Sequence, residues 1–355
     1  MASPATARFL TVARGAKKIL VVDLGFLGDT LHLIPALWEL RRNFPAAKLH
    51  VVTSPLGREV LDLVTCVDRV WETDLDSRTR TARGQWELLR NVRRENFDAG
   101  ISFSGSDRNV ITLGSSGARV RVAYDQGRRH FWDRWLIDEW VPMRSRELPV
   151  LEQRRQVLAA LGVPLSAPQF DLQIAPADTA WAAGRVKTGT VHLSLNSATP
   201  LNEWPVAHFA ALGQRLAREF PGLPLAVSAM AKEREQARVR EFLAAVSGVP
   251  VNVLPVGMSI GQLAAVIQRC RLHFGPDSGV MHLAMALGVP TVSLFREKGN
   301  FREWFPTLSG HDGLLAPCQC VIYRDAPCAA SGQARCLAGI TVDLVAERIA
   351  GRLRK

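Results

Sequence analysis

The 355-residue sequence contains no apolar run that approaches the roughly 20 residues needed to span a bilayer. Its basic N-terminal stretch, MASPATARFLTVARGAKK, lacks the sustained apolar segment of a signal peptide, so we expect a frayed leader and a cytoplasmic protein. The spacings typical of zinc fingers, RNA-recognition domains and recognition helices are also missing, which disfavours nucleic acid as a partner. The spacing G-x-G-x-x-G is absent as well, which disfavours a nicotinamide-dependent dehydrogenase.

The composition that remains is typical of a folded globular protein. Hydrophobic residues make up 47% and charged residues 22% of the chain, which excludes a disordered chain, and the length suits two domains. The net charge of +11 indicates an anionic partner, whether nucleic acid, anionic lipid or a phosphorylated substrate. Charge alone does not choose among them, and a solvated basic surface gives the same count.

The cysteines are unevenly placed. Cys66 and Cys270 are typical of isolated buried thiols, whereas four others lie near the C-terminus: Cys318, Cys320, Cys328 and Cys336. In a cytosolic protein such a cluster suggests a metal before a disulfide. Its spacing lacks the paired C-x2-C knuckles of common zinc sites, so we favour loop packing or incidental thiols and predict no metal site.

Short apolar strands alternate with helical segments along the whole chain, which predicts the α/β class with two doubly wound parallel sheets. The predicted strands include 19–24, 48–53, 68–73, 97–103, 118–124, 190–196, 223–229, 251–255 and a strand from residue 272. A linker rich in proline and glycine follows residue 161, and we expect the domain boundary within 163–188. Two such domains in series imply a cleft between them.

A glycine-bearing turn, Gly25 to Asp29, follows the first strand and leads into a helix that contains Pro35, so we expect the helix to begin late or to kink. Asp29 is placed where a helix N-cap is common and where the helix dipole keeps a carboxylate ionised. An ionised carboxylate on a rigid turn is also what a general base requires. Both interpretations remain open for Asp29.

A second turn of this kind lies in LHFGPDSGVMHLAMALGVPTVSL, residues 272–294. The pattern predicts a strand, a Gly-Pro-Asp turn, a helix from about Ser278 to Leu287 and another strand. The helix N-terminus suits a diphosphate, because Gly279 allows close approach to the backbone and Asp277 or Ser278 can cap the first turn. His282 lies one helical turn further on. A well-capped helix with a buried histidine explains the same residues without a ligand.

Other segments carry weaker signals. Asp74-Leu75-Asp76 matches the D-x-D metal motif of some sugar transferases, but three residues are too few to trust. Arginines and tryptophans alternate between residues 125 and 143, where they could bind phosphates and stack on sugars or could simply belong to the core. The residues of this patch and of the first turn that could contact a substrate are Gly28, His32, Arg128, Arg129 and Trp132.

Two motifs at opposite ends of the chain resemble those of one family. LGFLGDTLHLIPALWELRRNFP (24–45) closely resembles the N-terminal signature of the ADP-heptose:lipopolysaccharide heptosyltransferases, glycosyltransferase family 9. GPDSGVMHLAMALGVPTVSLF (275–295) resembles the donor-site signature of that family, a D-[ST]-G-x-x-H pattern. LNEWPVAHFAALGQRL (201–216) and the tail with CQC and RCLAGIT are also similar, so the resemblance spans essentially the whole chain in the right order.

The resemblance implies a GT-B architecture of two Rossmann-like domains that face a cleft. Residues 1–165 would bind the acceptor and residues 166–340 the nucleotide sugar; the helix in 341–355 would cross back to the first domain or lie against an acidic surface. The implied reaction is an inverting, metal-independent transfer of heptose from ADP-heptose to a lipopolysaccharide core acceptor. That acceptor is lipid-linked and phosphorylated, which implies peripheral contact with the inner membrane face.

The resemblance also assigns residues. Asp29 matches the general base of the family, Ser197 a residue near the donor phosphates and Met258 a position in the adenine pocket. Glu233 matches a ribose-binding acid, although Glu235 could take that register. The complete donor-binding set is Ser197, Asn202, Glu233, Met258, Asp277, Ser278, Gly279 and His282. The substrate that Gly28, His32, Arg128, Arg129 and Trp132 would contact is then the acceptor.

Asn202 departs from the family pattern, which has a lysine there that neutralises the donor phosphates. A neutral amide does not replace that charge. Another cation such as Lys298, Arg296 or Arg302 could substitute, the donor could differ, or turnover could be poor. Two alternatives therefore stay open beside the leading hypothesis: transfer to a protein acceptor, and a non-catalytic protein that binds a nucleotide sugar.

Overall fold

The computed structural model describes residues 4–73, 81–127, 129–142, 147–297, 301–318 and 326–354. They form two compact units, Met1–Gln173 and Ile174–Lys355, whose boundary lies inside the expected interval 163–188 and after the predicted division at 165/166. The D-x-D motif at 74–76, Arg128, Lys298 and Cys320 lie outside the described residues. The predicted division into an acceptor domain and a donor domain stays a prediction.

The first unit is a parallel sheet flanked by helices. Its strands are β1 (Lys18–Asp23), β2 (Lys48–Thr53), β3 (Arg69–Glu72), β4 (Ala99–Ser102), β5 (Val120–Asp125) and β6 (Glu139–Pro142). Its helices are α1 (Pro4–Arg14), α2 (Leu27–Asn43), α3 (Pro55–Leu61), α4 (Ala82–Arg94), α5 (Asp107–Ser115), α6 (Asp133–Leu136) and α7 (Val150–Ala160). The strand order is β3-β2-β1-β4-β5-β6, and every pairing is parallel.

The second unit repeats this plan. Its strands are β7 (Thr190–Ser194), β8 (Leu225–Ser228), β9 (Val251–Val253), β10 (Cys270–Pro276), β11 (Thr291–Arg296) and β12 (His311–Ala316). Its helices are α8 (Pro176–Ala183), α9 (Val206–Glu219), α10 (Glu233–Ala245), α11 (Ile260–Gln268), α12 (Gly279–Ala286), α13 (Phe301–Trp304), α14 (Ala326–Ser331), α15 (Arg335–Ala338) and α16 (Val342–Leu353). A short 3-10 turn covers Pro200–Asn202.

The two sheets have the same topology, since the second order, β12-β11-β10-β7-β8-β9, places the first strand of its unit beside the fourth. The chain therefore changes direction across the sheet between β1 and β4, and again between β7 and β10. Ligands of doubly wound sheets bind beyond the carboxyl ends of the strands at such switch points. Both glycine-bearing turns noted in the sequence follow these strands.

The structure corrects three expectations. The N-terminal stretch is not a frayed leader but contains α1, whose Phe9 is fully buried. Helix α2 begins at Leu27 and includes Pro35, so it does not begin late; the alternative, a kink at Pro35, stays a prediction. Strands β6 and β12 were not predicted, because EWVP and HDGLLA lack the apolar run or the strict alternation that marks a strand.

The C-terminal helix packs within the second unit. Val345 and Ile349 of α16 are fully buried in the same core as Trp204, whose indole N–H donates to the Ile340 carbonyl at 3.1 Å. The expectation that this segment reaches the first domain stays a prediction. Across the described ranges, the helices are each too short or too polar to cross a membrane.

Two histidines lie at the centre of the second sheet. His192 Nδ1 is 2.9 Å from His273 Nδ1, and its Nε2 is 2.9 Å from the Ser228 hydroxyl. Both rings are completely buried. Burial lowers the pKa of His192 to about 4, because a charged imidazolium would lose its hydration there.

We expect the buried histidines to make the second unit sensitive to acid. The unfolded chain binds a proton at His192 below about pH 6.5 whereas the folded chain does not, so stability falls as the pH drops from 6.5 towards 4. The loss at pH 4 is roughly 3 kcal/mol from this residue. Urea unfolding at several pH values checks it: His192→Gln should flatten the profile, and His130→Gln, at a more exposed histidine, should not. Equal profiles for all three proteins would contradict the assignment.

Candidate functional site

Asp29 lies in the first turn of α2, directly beyond the carboxyl end of β1. The N-cap residue of α2 is Phe26 and not Asp29, which is the third residue of the helix. Asp29 nevertheless stabilises the helix start, because its Oδ2 accepts a hydrogen bond from the Phe26 N–H at 2.9 Å. The side chain keeps 27% of its surface exposed. The carboxylate is thus held in one orientation by the backbone and remains accessible, and this role at the helix start does not exclude catalysis.

A buried arginine connects this turn to the sheet. Arg154 of α7 has a side chain that is only 5% exposed, and its Nη2 lies 3.3 Å from Asp23 Oδ1 and 3.6 Å from Asp29 Oδ1. Its Nη1 also donates to the Asp29 carbonyl. Burial raises the pKa of Asp23, while Arg154 and the Thr30 hydroxyl oppose that rise. Sequence reasoning missed Arg154, since nothing local links α7 to the first turn.

Ser197 lies at the second switch point, between β7 and β10, and is 6% exposed. Its hydroxyl donates to the Asp277 carbonyl at 3.0 Å, joining the loop after β7 to the turn after β10. His282 is 3% exposed, and its Nε2 lies 3.5 Å from Asp277 Oδ1. The structure therefore brings Ser197, Asp277 and His282 together, and their role in donor binding stays a prediction.

Ser278 is the N-cap residue of α12, with extended backbone and no side-chain hydrogen bond to the first turn. Its hydroxyl is buried and finds no hydrogen-bond partner among the described residues. Gly279 opens the helix, so no side chain at that residue covers the backbone N–H groups of the first turn. These donors and the positive end of the helix dipole suit an anionic group.

The loop that contains Asn202 is held by two arginines of α10. Glu203, with a side chain 5% exposed, accepts bonds from Arg234 Nη1 at 2.6 and 2.7 Å, and Arg238 Nε lies 3.3 Å from its Oε2. Arg234 Nη2 also donates to the Ser197 carbonyl at 3.0 Å. This cluster could not be predicted from the sequence, because a helix rich in both charges usually has a solvated face.

The structure distinguishes the two candidate ribose-binding acids. Glu235 is 5% exposed and accepts the Met230 N–H at 2.9 Å, so its carboxylate serves the backbone. The Glu233 side chain is 83% exposed and pairs only with Arg240 in the contacts that the described residues make. Glu233 is therefore the more accessible of the two carboxylates, and its role in ribose binding stays a prediction.

Met258 is half-buried in the turn that precedes α11. Two further apolar side chains follow neighbouring strands in the same unit: Met230 after β8 is 52% exposed, and Val256 after β9 is 51% exposed. Exposed apolar side chains at strand ends offer a surface for a flat ring. Sequence reasoning did not single out Met230 or Val256.

The predicted acceptor residues have varied settings. Gly28 and His32 are buried in α2, the latter 4% exposed. Arg129 pairs with Asp125 at 2.9 Å from its Nε and lies 5.0 Å from the Trp140 ring centroid. Trp132 stacks on the His130 ring at 4.2 Å. Their role in acceptor binding stays a prediction.

The cysteines and the remaining cations have other surroundings. Burial raises the pKa of Cys66 and of Cys270 to about 12, as expected for inert thiols. Arg296, proposed as a substitute cation, is 4% exposed, and its Nη2 lies 3.5 Å from Cys318 Sγ. Among the described residues, three or more histidine, cysteine or acidic side chains nowhere converge as a metal site would need.

Comparisons with known proteins agree on a family. The sequence model of glycosyltransferase family 9 (heptosyltransferase) matches residues 85–320. The lipopolysaccharide core heptosyltransferase OpsX of Haemophilus influenzae is 22% identical over 287 residues, which cover 79% of each chain.

Solved structures give the same result for the fold. A glycosyltransferase family 9 protein from Veillonella parvula superposes with a TM-score of 0.82 at 21% identity and covers 95% of this chain and 97% of its own. The E. coli heptosyltransferase WaaC with ADP-2-deoxy-2-fluoro heptose gives 0.73 at 18% identity, covering 94% and 99%. The predicted GT-B fold class, with two parallel-sheet Rossmann-like units, is confirmed.

Proposed function

Because the chain belongs to glycosyltransferase family 9, we propose that this glycosyltransferase moves a heptose from ADP-heptose to a lipid-linked, phosphorylated lipopolysaccharide core acceptor. The observation that carries the proposal is the hydrogen bond from the Ser197 hydroxyl to the Asp277 carbonyl. It assembles the donor motif at the switch point of the second sheet, where doubly wound sheets bind ligands. A related E. coli protein has an ADP-heptose analogue bound, which supports the choice of donor.

In the proposed reaction Asp29 accepts the proton of an acceptor hydroxyl while that oxygen attacks the anomeric carbon of the donor. The new carbon–oxygen bond forms as the bond to the diphosphate breaks, and ADP leaves with the electron pair. Attack opposite to the leaving group inverts the anomeric centre. The N–H groups of α12 and the Ser278 hydroxyl would stabilise the departing diphosphate, because fixed dipoles act most strongly on charge that develops during the reaction.

The donor would lie along the carboxyl edge of the second sheet. Met258 would contact adenine, together with the exposed side chains of Met230 and Val256. Glu233 would accept hydrogen bonds from ribose. Helix dipoles and arginines would stabilise the negative charge of the diphosphate, so the proposed transfer needs no metal. The net charge of +11 supports an anionic acceptor at the inner membrane face.

Calorimetric titration tests the donor. The purified protein is titrated with ADP, UDP, GDP and CMP, first with a chelator and then with magnesium. We expect selective ADP binding that magnesium does not strengthen. A preference for another nucleotide would contradict the donor assignment, and a requirement for magnesium would contradict the metal-free mechanism.

Gly25 should be essential for the placement of Asp29. A Cβ atom at residue 25 would lie 2.3 Å from the Asp29 Cβ, so Gly25→Ala must displace the carboxylate. We expect a loss of heptosyl transfer of about one-hundredfold, since small misplacements of a reacting group have effects of that size. The control is Gly15→Ala, where no atom lies within 4 Å of the added carbon. Equal transfer rates for the two variants would count against the role of this turn.

A further inference from the structure

We propose that Arg234 binds the diphosphate of the donor and replaces the lysine that the family places at Asn202. The inference rests on the proposed function and adds a residue to the same site. Arg234 lies in α10, 32 positions along the chain from Asn202, so no motif connects the two. The contacts of Ser197 connect them in the structure.

Ser197 joins Arg234 to the donor turn through short contacts. Its carbonyl accepts from Arg234 Nη2 at 3.0 Å, its N–H donates to Glu203 Oε1 at 2.9 Å, and its hydroxyl donates to the Asp277 carbonyl at 3.0 Å. All three polar groups of one residue therefore tie the arginine cluster to the turn that opens α12. Ser197 therefore contacts both the Arg234 guanidinium and the turn on which the ligand would lie.

The cluster carries the charge that Asn202 lacks. Glu203 lies between Arg234 and Arg238, and one carboxylate between two guanidinium groups leaves a net charge of +1. A lysine at residue 202 would supply the same charge. Because the Glu203 side chain is only 5% exposed, its negative charge is screened from solvent by the two arginines.

Arg234 is the member of the cluster that a ligand can reach. Its side chain is 40% exposed, against 20% for Arg238, whose Nη2 donates to the Leu195 and Trp204 carbonyls. The hydrogen bonds of Arg234 to the described residues come from Nη1 and Nη2 and not from Nε, so part of the donor capacity of the guanidinium is left for a ligand. Because Glu203 holds the Arg234 guanidinium in one orientation, its other N–H groups are fixed in place before a phosphate binds.

Calorimetric titration with ADP tests the proposal on four proteins: the wild type, Arg234→Gln, Arg234→Gln with Asn202→Lys, and Arg348→Gln. Arg234→Gln should weaken ADP binding about 10- to 100-fold, the effect of losing a charged hydrogen-bonding partner. Asn202→Lys should restore most of that loss, because it returns the charge to the position that the family uses. A purely structural role for Arg234 would not be rescued by a lysine on another segment.

Arg348→Gln is a matched control. Arg348 is 47% exposed and shares the Asp312 carboxylate with Arg352, so it is also the more exposed arginine of a two-arginine, one-carboxylate group in the second unit. We expect its ADP affinity to equal that of the wild type. Wild-type affinity in Arg234→Gln, failure of the rescue, or an equal loss in Arg348→Gln would each overturn the inference. Absence of ADP binding by the wild type would overturn the donor assignment as well.

Discussion

Asp29→Asn should lower the rate of heptosyl transfer by about one-hundredfold to ten-thousandfold, the range expected when a general base is removed. The substitution keeps the size of the side chain, and the amide oxygen can still accept the Phe26 N–H that Asp29 Oδ2 accepts at 2.9 Å. The helix start is therefore preserved while the proton acceptor is lost. Initial rates of ADP release in the presence of acceptor provide the measurement.

Binding of ADP should change by no more than a few fold in Asp29→Asn, because Asp29 belongs to the first unit and the donor residues to the second. Asp62→Asn serves as the control, since this aspartate of the first unit has a side chain 56% exposed and pairs only with Arg58 in the contacts that the described residues make. It should transfer at the wild-type rate. Wild-type turnover by Asp29→Asn, or loss of ADP binding in a folded variant, would refute the assignment of Asp29 as base.

Arg154→Met should destabilise the first unit by about 3 to 5 kcal/mol at pH 7, because it leaves the buried Asp23 carboxylate without its cation. The side chains of Asp23 and Arg154 are 3% and 5% exposed, so solvent cannot replace the lost partner. By comparison, Arg58→Met breaks an exposed pair with Asp62 and should cost below about 0.5 kcal/mol. Urea denaturation of the three proteins measures the difference.

The loss of stability caused by Arg154→Met should become smaller as the pH falls from 7 towards 5. Arg154 lowers the pKa of Asp23 against the effect of burial, so its removal lets that pKa rise further above the ordinary value. The folded variant then binds a proton at a pH where the unfolded chain does not, and stability increases as protons are added. Asp23→Asn combined with Arg154→Met should lose less stability than Arg154→Met alone. A deficit independent of pH would contradict this explanation.

The two switch-point turns could be predicted from the sequence because each combines an apolar strand, a glycine and an amphipathic helix. Asp29 and Asp277 follow directly from that pattern, and the parallel alternation gave the fold class. Short strands with weak patterns, such as β6 and β12, could not be predicted, since their pairing with neighbours decides their structure. Helix α1 was also missed, because its stability depends on tertiary contacts: Phe9 is buried where the helix packs against the sheet.

The arginines of the site were harder to find than its carboxylates. Arg154 contacts Asp29 although the two are 125 residues apart in the sequence, and Arg234 contacts Ser197 although they are 37 residues apart. Each lies on a helix whose sequence has an ordinary charged pattern, so only the folded contacts reveal a role. Lys298, Arg296 and Arg302 were the substitute cations that the sequence indicated, and Arg234 was not among them. The structure buries Arg296 beside Cys318.

Heptosyl transfer itself tests the central claim most directly. The purified protein is incubated with ADP-heptose and heptose-free lipopolysaccharide in the presence of a chelator, and ADP release is followed together with the mass of the acceptor. We expect ADP release that depends on the acceptor, with one heptose added to it, and both should be slower in Asp29→Asn by at least about one-hundredfold. A folded protein that binds ADP but leaves the lipopolysaccharide unmodified, or that modifies only a protein acceptor, would contradict the proposed function.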